Sequence, residues 1–357
     1  RHDCVGHCFS DVKVISAGDH HPRLQGRDMQ ADPVVLGHEV SLTVVGVGEN
    51  LRDKFHVGER YLIQADIYVG GETYAYGYVL RGGLAQYNVV GKEVLNGDDG
   101  CYLLPVHGDL SYAAVALTEP WSCVEAAYHI DYRTAWQDDG VLWVIGTAES
   151  AEREYTLGQP WAEGEKPRRI LVSDLPPALQ AALQDRAASW GVPLLTLDGL
   201  NPQTFAQAQK HAGGAGLDDI VLLGADADIV EQALRALHRG GMLNLVADRP
   251  MSRAVQVDVG RIHYDHLAIV GTKEPNISKA YTPIRTQLKP GGKAWFLGAA
   301  GPMGRMLVQY ALESAGRPAL VVPHDLVGWR LQEMTSNLAA LARSHGVQMI
   351  PLNQEGM

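Results

Sequence analysis

The chain has 357 residues, with 30 Lys and Arg against 41 Asp and Glu and a formal net charge of −11; this length suits about two to three domains, and the acidic balance without a basic run excludes a polyanion such as nucleic acid as a long-range partner. Its four cysteines are too few for a disulfide framework in a chain of this size and fit ligand or buried thiols in a reducing compartment. No apolar run approaches the roughly 18 residues of a membrane span, and Arg1-His2-Asp3-Cys4 has no signal-peptide character, so a soluble cytoplasmic protein is expected.

Residues 1 to about 130 are predicted to be rich in strands. Val40 to Val47 alternates and ends in glycines, and Tyr61-Leu62-Ile63 and Tyr87-Asn88-Val89-Val90 are strand-like runs between turn signals. From about residue 139 the pattern changes to short apolar strands separated by helices. Val141 to Ile145 is a continuous apolar run, as expected of a strand covered on both faces. Arg169–Ser173, Pro193–Leu197, Asp219–Leu223, Met242–Val246 and Leu267–Val270 repeat the type, with a helix from Pro177 to Trp190. Six strands with helices between them make one doubly wound unit.

The pattern then begins again. Lys293 to Leu297 is another buried strand, followed by Gly298-Ala299-Ala300-Gly301-Pro302-Met303-Gly304 and a helix to Ala315. A strand over Ala319–Val322 leads to Asp325, a helix spans Gly328–Ser344, and Gln348–Pro351 is the next strand. This is the first half of a second doubly wound unit, which implies an internal duplication of pattern.

Three separated stretches carry the metal-binding residue types: Cys8-Phe9-Ser10-Asp11, Gly37-His38-Glu39 and Thr118-Glu119-Pro120. Zinc favours thiolate, imidazole and carboxylate ligands, and a catalytic site keeps one position open. In type, order and spacing these stretches resemble the zinc-dependent medium-chain alcohol and polyol dehydrogenases. The resemblance is strongest to the sorbitol dehydrogenase and sorbose-1-phosphate reductase branch. Gly58-Glu59-Arg60-Tyr61-Leu62-Ile63-Gln64-Ala65 and Glu119-Pro120-Trp121-Ser122-Cys123 extend it, over roughly residues 1 to 272.

The resemblance implies a GroES-like zinc domain over residues 1–138 and a Rossmann domain over 139–280; with the second, incomplete Rossmann unit that the pattern places over 281–357, an α/β protein is expected. Because Cys8 comes so early and no initiator Met precedes it, sequence upstream is expected, as is sequence beyond the third strand of the second unit. One catalytic zinc is implied, held by Cys8, His38 and Glu119. Glu39 stands either as a further ligand or as an anchor beside the metal, and Asp11 stands behind it. Ser10 matches the family's proton-relaying hydroxyl, whereas Lys13 replaces a relay histidine common in relatives. A structural zinc is not expected, since residues 66–100 hold tyrosines and glycines but no cysteine.

His20, His21, Arg23 and Arg27 form a basic cluster that either serves a sugar phosphate or is a solvated loop.

A dinucleotide needs glycines after the first strand, where backbone approaches the pyrophosphate at a helix N-terminus. The first unit offers Gly146-Thr147-Ala148-Glu149-Ser150-Ala151-Glu152-Arg153-Glu154, with three glutamates where phosphate should sit, although Asp174 is placed for a ribose. The second unit offers Gly298, Gly301 and Gly304, with Asp325 placed to favour NAD(H) over NADP(H). The cofactor is therefore expected at the second unit, presented to the zinc domain; the other arrangements are NAD bound by a divergent loop in the first unit, or a purely structural first unit with the second serving another nucleotide. The expected activity is hydride transfer between NAD(H) and a polyol, sugar or sugar phosphate. The second reading is a nucleotide-binding scaffold without turnover. The resemblance also implies a homo-oligomer, with the duplicated unit able to replace a dimer contact.

Overall fold

The computed structural model describes residues 1–24, 27–158, 165–281 and 283–353. The chain forms two compact units: residues 1–130 together with 286–357, and residues 131–285.

In the first unit, β1 (His2–Val5), β2 (Val40–Thr43), β3 (Arg60–Ile63) and β6 (Leu103–Pro105) form an antiparallel sheet in the order β1-β2-β3-β6. Between them lie α1 (Phe9–Ala17), the short hairpin β4 (Tyr68–Val69) and β5 (Glu72–Thr73), and α2 (Lys92–Leu95). Val40, Leu42, Tyr61, Ile63, Ile67, Tyr76 and Tyr102 fill the core. The strand predicted at Tyr87–Val90 is not formed. Tyr87 and Val89 are exposed, and Asn88 Nδ2 donates to Tyr76 Oη and to the Arg81 carbonyl. The β-propensity of that run is not matched by a neighbouring strand with a buried face. α3 (Tyr112–Ala116) and α4 (Thr118–Tyr128) follow β6.

The second unit is a six-stranded parallel sheet in the order β12-β11-β10-β7-β8-β9. Its strands are β7 (Val141–Gly146), β8 (Arg169–Ser173), β9 (Leu194–Thr196), β10 (Leu217–Leu223), β11 (Leu237–Val246) and β12 (Ala268–Thr272). Successive side chains of a strand face opposite ways. Leu142 and Val144 accordingly join one core with Trp136 and Leu179, and Val141, Trp143 and Ile145 join another with Phe205 and Val230. That is why β7 reads as an unbroken apolar run. The strand order is the doubly wound one predicted, with the switch point between β7 and β10. The helices α5 (Pro177–Trp190), α6 (Pro202–His211), α7 (Ala227–Ala236) and α8 (Val259–Tyr264) connect the strands.

Residues from 286 onward rejoin the first unit. The hydroxyl of Thr286 donates to the carbonyls of Tyr128 and Ile130, each at 3.3 Å, so the chain leaves and re-enters that unit at one place. There follow β13 (Lys293–Leu297), α9 (Pro302–Glu313), β14 (Leu320–Asp325), α10 (Gly328–Ser344), β15 (Gln348–Met349) and β16 (Leu352–Asn353). The strands are parallel, with β14 in the centre. Val308, Leu312, Val321, Leu331 and Met334 pack the helices onto the sheet. α9 lies against α4, where the Tyr128 and Tyr310 rings stack at 4.8 Å and His129 Nε2 is hydrogen-bonded to Tyr310 Oη at 3.0 Å.

Candidate metal centre and nucleotide motifs

Cys8 sits at the N-terminus of α1, and Asp11 is the third residue of that helix. Asp11 Oδ2 accepts from the Cys8 amide at 3.1 Å, one half of a capping box. Its Oδ1 accepts from the Gly37 amide at 3.2 Å. One buried carboxylate therefore ties the segment bearing Cys8 to the residue next to His38. Glu39 follows directly, and its carbonyl accepts from the Gly6 amide at 2.8 Å.

This clamping brings one ligand atom each from Cys8, His38 and Glu39 within 4.8 Å of one another. His38 and Glu39 are buried and Cys8 is half-buried. His38 Nδ1 is buried and, among the described residues, has no hydrogen-bond partner; its closest carboxylate is that of Asp11, at 3.9 Å. Ser10 Oγ is likewise buried without a partner. A thiol, an imidazole and a carboxylate converging beside unmet polar atoms is a donor set that fits zinc.

The protonation chemistry agrees. His38 lowers the Cys8 pKa against the opposing effect of burial, which favours the thiolate. Burial works to lower the His38 pKa, but Cys8 and the carboxylates of Glu119 and Asp11 more than offset it, so it lies above the ordinary value. Glu39 is raised, chiefly by burial. Glu119, on the first turn of α4, is also raised, first by burial and then by Glu39 and Asp66, while His38 works the other way. Glu119 thus feels the charges of the centre without belonging to the tight set of three. Cys123, one turn along α4, lies with its sulfur 3.9 Å from Glu119 Oε1.

Sequence reasoning missed Tyr78. Its ring stacks on His38 with centroids 5.9 Å apart, and His21 and Arg23 both lie against it. Nothing in the tyrosine- and glycine-rich stretch marks one tyrosine above another. Of the basic cluster, His21 and Arg23 therefore border the centre. Arg27 is used for architecture, donating to the carbonyls of Tyr78 and Val79 and pairing with Asp32 at 2.9 Å. His20 is exposed.

The glycine motif Gly298–Gly304 has the geometry of a close helix–strand approach. Gly301 caps α9, Pro302 opens it, and a Cβ on Gly304 would lie 2.2 Å from the Gly298 carbonyl. Asp325, at the end of β14, accepts from the amides of Ala300 at 3.0 Å and Val327 at 2.9 Å. A carboxylate has about four acceptor positions, so these bonds orient Asp325 and leave capacity for a ribose hydroxyl.

In the 131–285 unit, β7 leads into a short 3₁₀ turn over Ala148–Glu152. Glu149 Oε2 accepts from the Ala225 amide at 3.0 Å, spanning the switch point from the end of β7 to the end of β10. Arg249 lies 3.9 Å from Glu149 and 3.6 Å from Glu152. The chain's own carboxylate holds a strand-end amide of the kind a pyrophosphate would use. Asp174 is exposed, in a left-handed backbone conformation at φ 50°.

Residues 1–96 match the alcohol dehydrogenase GroES-like domain family. The chain is 30% identical over 288 residues to mannitol-1-phosphate 5-dehydrogenase of Aliivibrio fischeri, covering 74% of this chain and 65% of that protein. It is 29% identical over 286 residues to the uncharacterized protein YggP of Escherichia coli, covering 74% and 65%. It is 26% identical over 288 residues to L-sorbose 1-phosphate reductase of Klebsiella pneumoniae, covering 75% and 67%. The chain thus spans 65% of the length of the first two of these relatives. Together with the domain match, the chain is similar over about three quarters of its length to dehydrogenases and reductases of polyol and sugar phosphates.

Proposed function

We propose that this chain is a zinc- and NAD-dependent oxidoreductase that moves a hydride between the nicotinamide and a carbon of a polyol phosphate or keto-sugar phosphate. The observation that carries the reading is the convergence of Cys8, His38 and Glu39 within 4.8 Å, held by Asp11. The phosphorylated substrates named for two of the relatives support the substrate class.

Cys8, His38 and Glu39 hold the ion in this reading, with Glu119 as the neighbouring carboxylate. Zinc in such a site supplies Lewis-acid polarisation of the substrate oxygen, favouring alkoxide in oxidation and an electron-poor carbonyl in reduction. Asp11 fixes the positions of Cys8 and His38, a second layer of the kind that sets metal affinity. Ser10, buried with an unmet hydroxyl, is the group on this chain placed to accept the alcohol's proton in a hydrogen bond. Gly298, Gly301 and Gly304 take the pyrophosphate and Asp325 the adenosine ribose. Asp174 belongs to a unit whose crevice Glu149 already spans, and it has no part in cofactor binding in this reading.

The test combines zinc analysis, NADH calorimetry and NADH-dependent reduction of a ketohexose phosphate by the full chain. One zinc, one NADH and turnover are expected, with metal and turnover lost in Cys8→Ser. Wild-type protein that binds neither zinc nor NADH overturns the reading.

A further inference from the structure

We propose that Arg23 and His21, gathered on the ring of Tyr78, form the subsite that takes the phosphate of the substrate. This rests on the reading above, and names the residues that would distinguish a phosphorylated polyol from a plain one.

The geometry starts at the metal centre. The ring of Tyr78 stacks on His38 at 5.9 Å with an interplanar angle of 30°. The Arg23 guanidinium lies 5.1 Å from the same ring, and the His21 ring 5.6 Å from it. Two cationic or protonatable groups therefore stand one aromatic ring away from a ligand residue. A polyol phosphate has that form, with a reacting oxygen at one carbon and a dianion a few bonds away.

The chemistry of the two groups suits a phosphate. Arg presents a rigid fork that matches phosphate oxygens two at a time. The Arg23 amide donates to His21 Nδ1 at 3.3 Å, so the neutral ring carries its proton on Nε2 and is a donor there. Asp66 Oδ1 accepts from Arg23 Nη1 at 3.0 Å and holds the guanidinium in place. Asp66 is only half-buried, and its single charge is weaker competition for the fork than a phosphate dianion. The charges of Arg23 and Lys13 both reach His21 and, after burial, depress its pKa, so three basic groups share this edge of a chain whose net charge is −11. The positive charge of Arg23 and Lys13 beside a neutral donor on His21 favours an anion there.

The experiment compares wild type with Arg23→Gln and Arg23→Lys, using a polyol phosphate, the same polyol without phosphate, and inorganic phosphate alone. For Arg23→Gln we expect KM for the phosphorylated substrate to rise about 10- to 100-fold, the loss of one or two charge-assisted hydrogen bonds. Its kcat should change by no more than a few-fold. Kinetics on the plain polyol and zinc content should match wild type, and Arg23→Lys should recover part of the loss. Inorganic phosphate should bind wild type in calorimetry and bind Arg23→Gln more weakly by a similar factor. An unchanged KM for the phosphorylated substrate, or an equal loss on both polyols, overturns the subsite. Wild type that turns over only plain polyols sinks the phosphorylated-substrate reading instead. In that event Arg23-dependent binding of inorganic phosphate keeps the anion subsite, and its absence overturns that as well.

Discussion

The ring of Tyr128 lies 4.8 Å from that of Tyr310, with an interplanar angle of 6°. Tyr128 ends α4, the helix that begins with Thr118-Glu119, and Tyr310 lies on α9, the helix that Gly301 caps. The stack therefore joins the helix carrying a carboxylate beside the metal centre to the helix carrying the nucleotide motif. Residues 131–285 come between them in sequence but not in this contact. Replacing each tyrosine by Leu, singly and together, should give a coupling energy of about 0.5–1.5 kcal/mol in chemical denaturation. Tyr310→Phe should keep the coupling and lose only the bond to His129. Additive effects of the two Leu substitutions would show that the stack holds nothing together.

Asp11 is the hinge pin of the metal centre, because its two oxygens accept from the amides of Cys8 and Gly37. Asp11→Ala should leave the thiol and imidazole present but less well placed. The expected loss is about 10- to 100-fold in zinc affinity, the range for residues behind metal ligands. Competition with a chromophoric chelator measures it, and circular dichroism checks that the fold survives. Zinc affinity equal to wild type would assign Asp11 to helix capping alone.

Gly301 and Gly304 look alike in sequence but separate in the structure. A Cβ on Gly304 would sit 2.2 Å from the Gly298 carbonyl, against a backbone that cannot yield, whereas on Gly301 the nearest atom is 3.5 Å away. Gly304→Ala should therefore destabilise the fold, while Gly301→Asp should fold and repel a pyrophosphate. Calorimetry of the full chain should show one NADH site, lost in Gly301→Asp and retained in Glu149→Ala. Binding retained in Gly301→Asp and lost in Asp174→Ala would move the cofactor to the other sheet.

These contrasts show what the sequence could carry. The parallel strands of the 131–285 unit were legible because burial on both faces leaves runs such as Val141–Ile145 without polar interruption, whereas Lys293–Leu297, expected to be buried, forms an edge strand with Trp295 and Leu297 exposed. Cys8 and His38 stood out in the sequence together with Glu119 because thiol, imidazole and carboxylate are a chemically specific set, whereas the structure gathers Glu39 with them and leaves Glu119 outside the set of three. Tyr87–Val90 misled because apolar character alone does not say whether a partner strand is present. Tyr78 and Glu149 were hidden for another reason. Their roles depend on His38 and Ala225, far away along the chain, and no local period encodes such a meeting. The return of residue 286 to the first unit was hidden in the same way, since 155 residues of a self-contained sheet intervene.

Asp219 gives the 131–285 unit an inverted response to pH. It is buried on β10, and its oxygens accept from Arg133 at 3.0 and 3.2 Å and from the Gln137 amide at 2.7 Å. Burial nonetheless pushes its pKa up to about 7, against the opposing pull of Arg133. In the unfolded chain an Asp titrates near about 3.9. Between those values the folded state binds the extra proton, so stability falls as pH rises. The contribution is full below about pH 4 and is lost as pH passes 7. A tenfold difference in proton affinity between the folded and unfolded chain corresponds to about 1.4 kcal/mol, so the effect is of the order of a few kcal/mol. Most buried carboxylates paired with Arg act in the opposite sense, losing stability as acid is added. Scanning calorimetry of the full chain from pH 5 to 8 should show the transition of this unit moving to lower temperature in wild type. In Asp219→Asn, which keeps an acceptor for the Gln137 amide and cannot ionise, that slope should flatten. A wild-type transition that rises with pH over the same interval would mean that the Arg133 pair dominates and that Asp219 is ionised throughout.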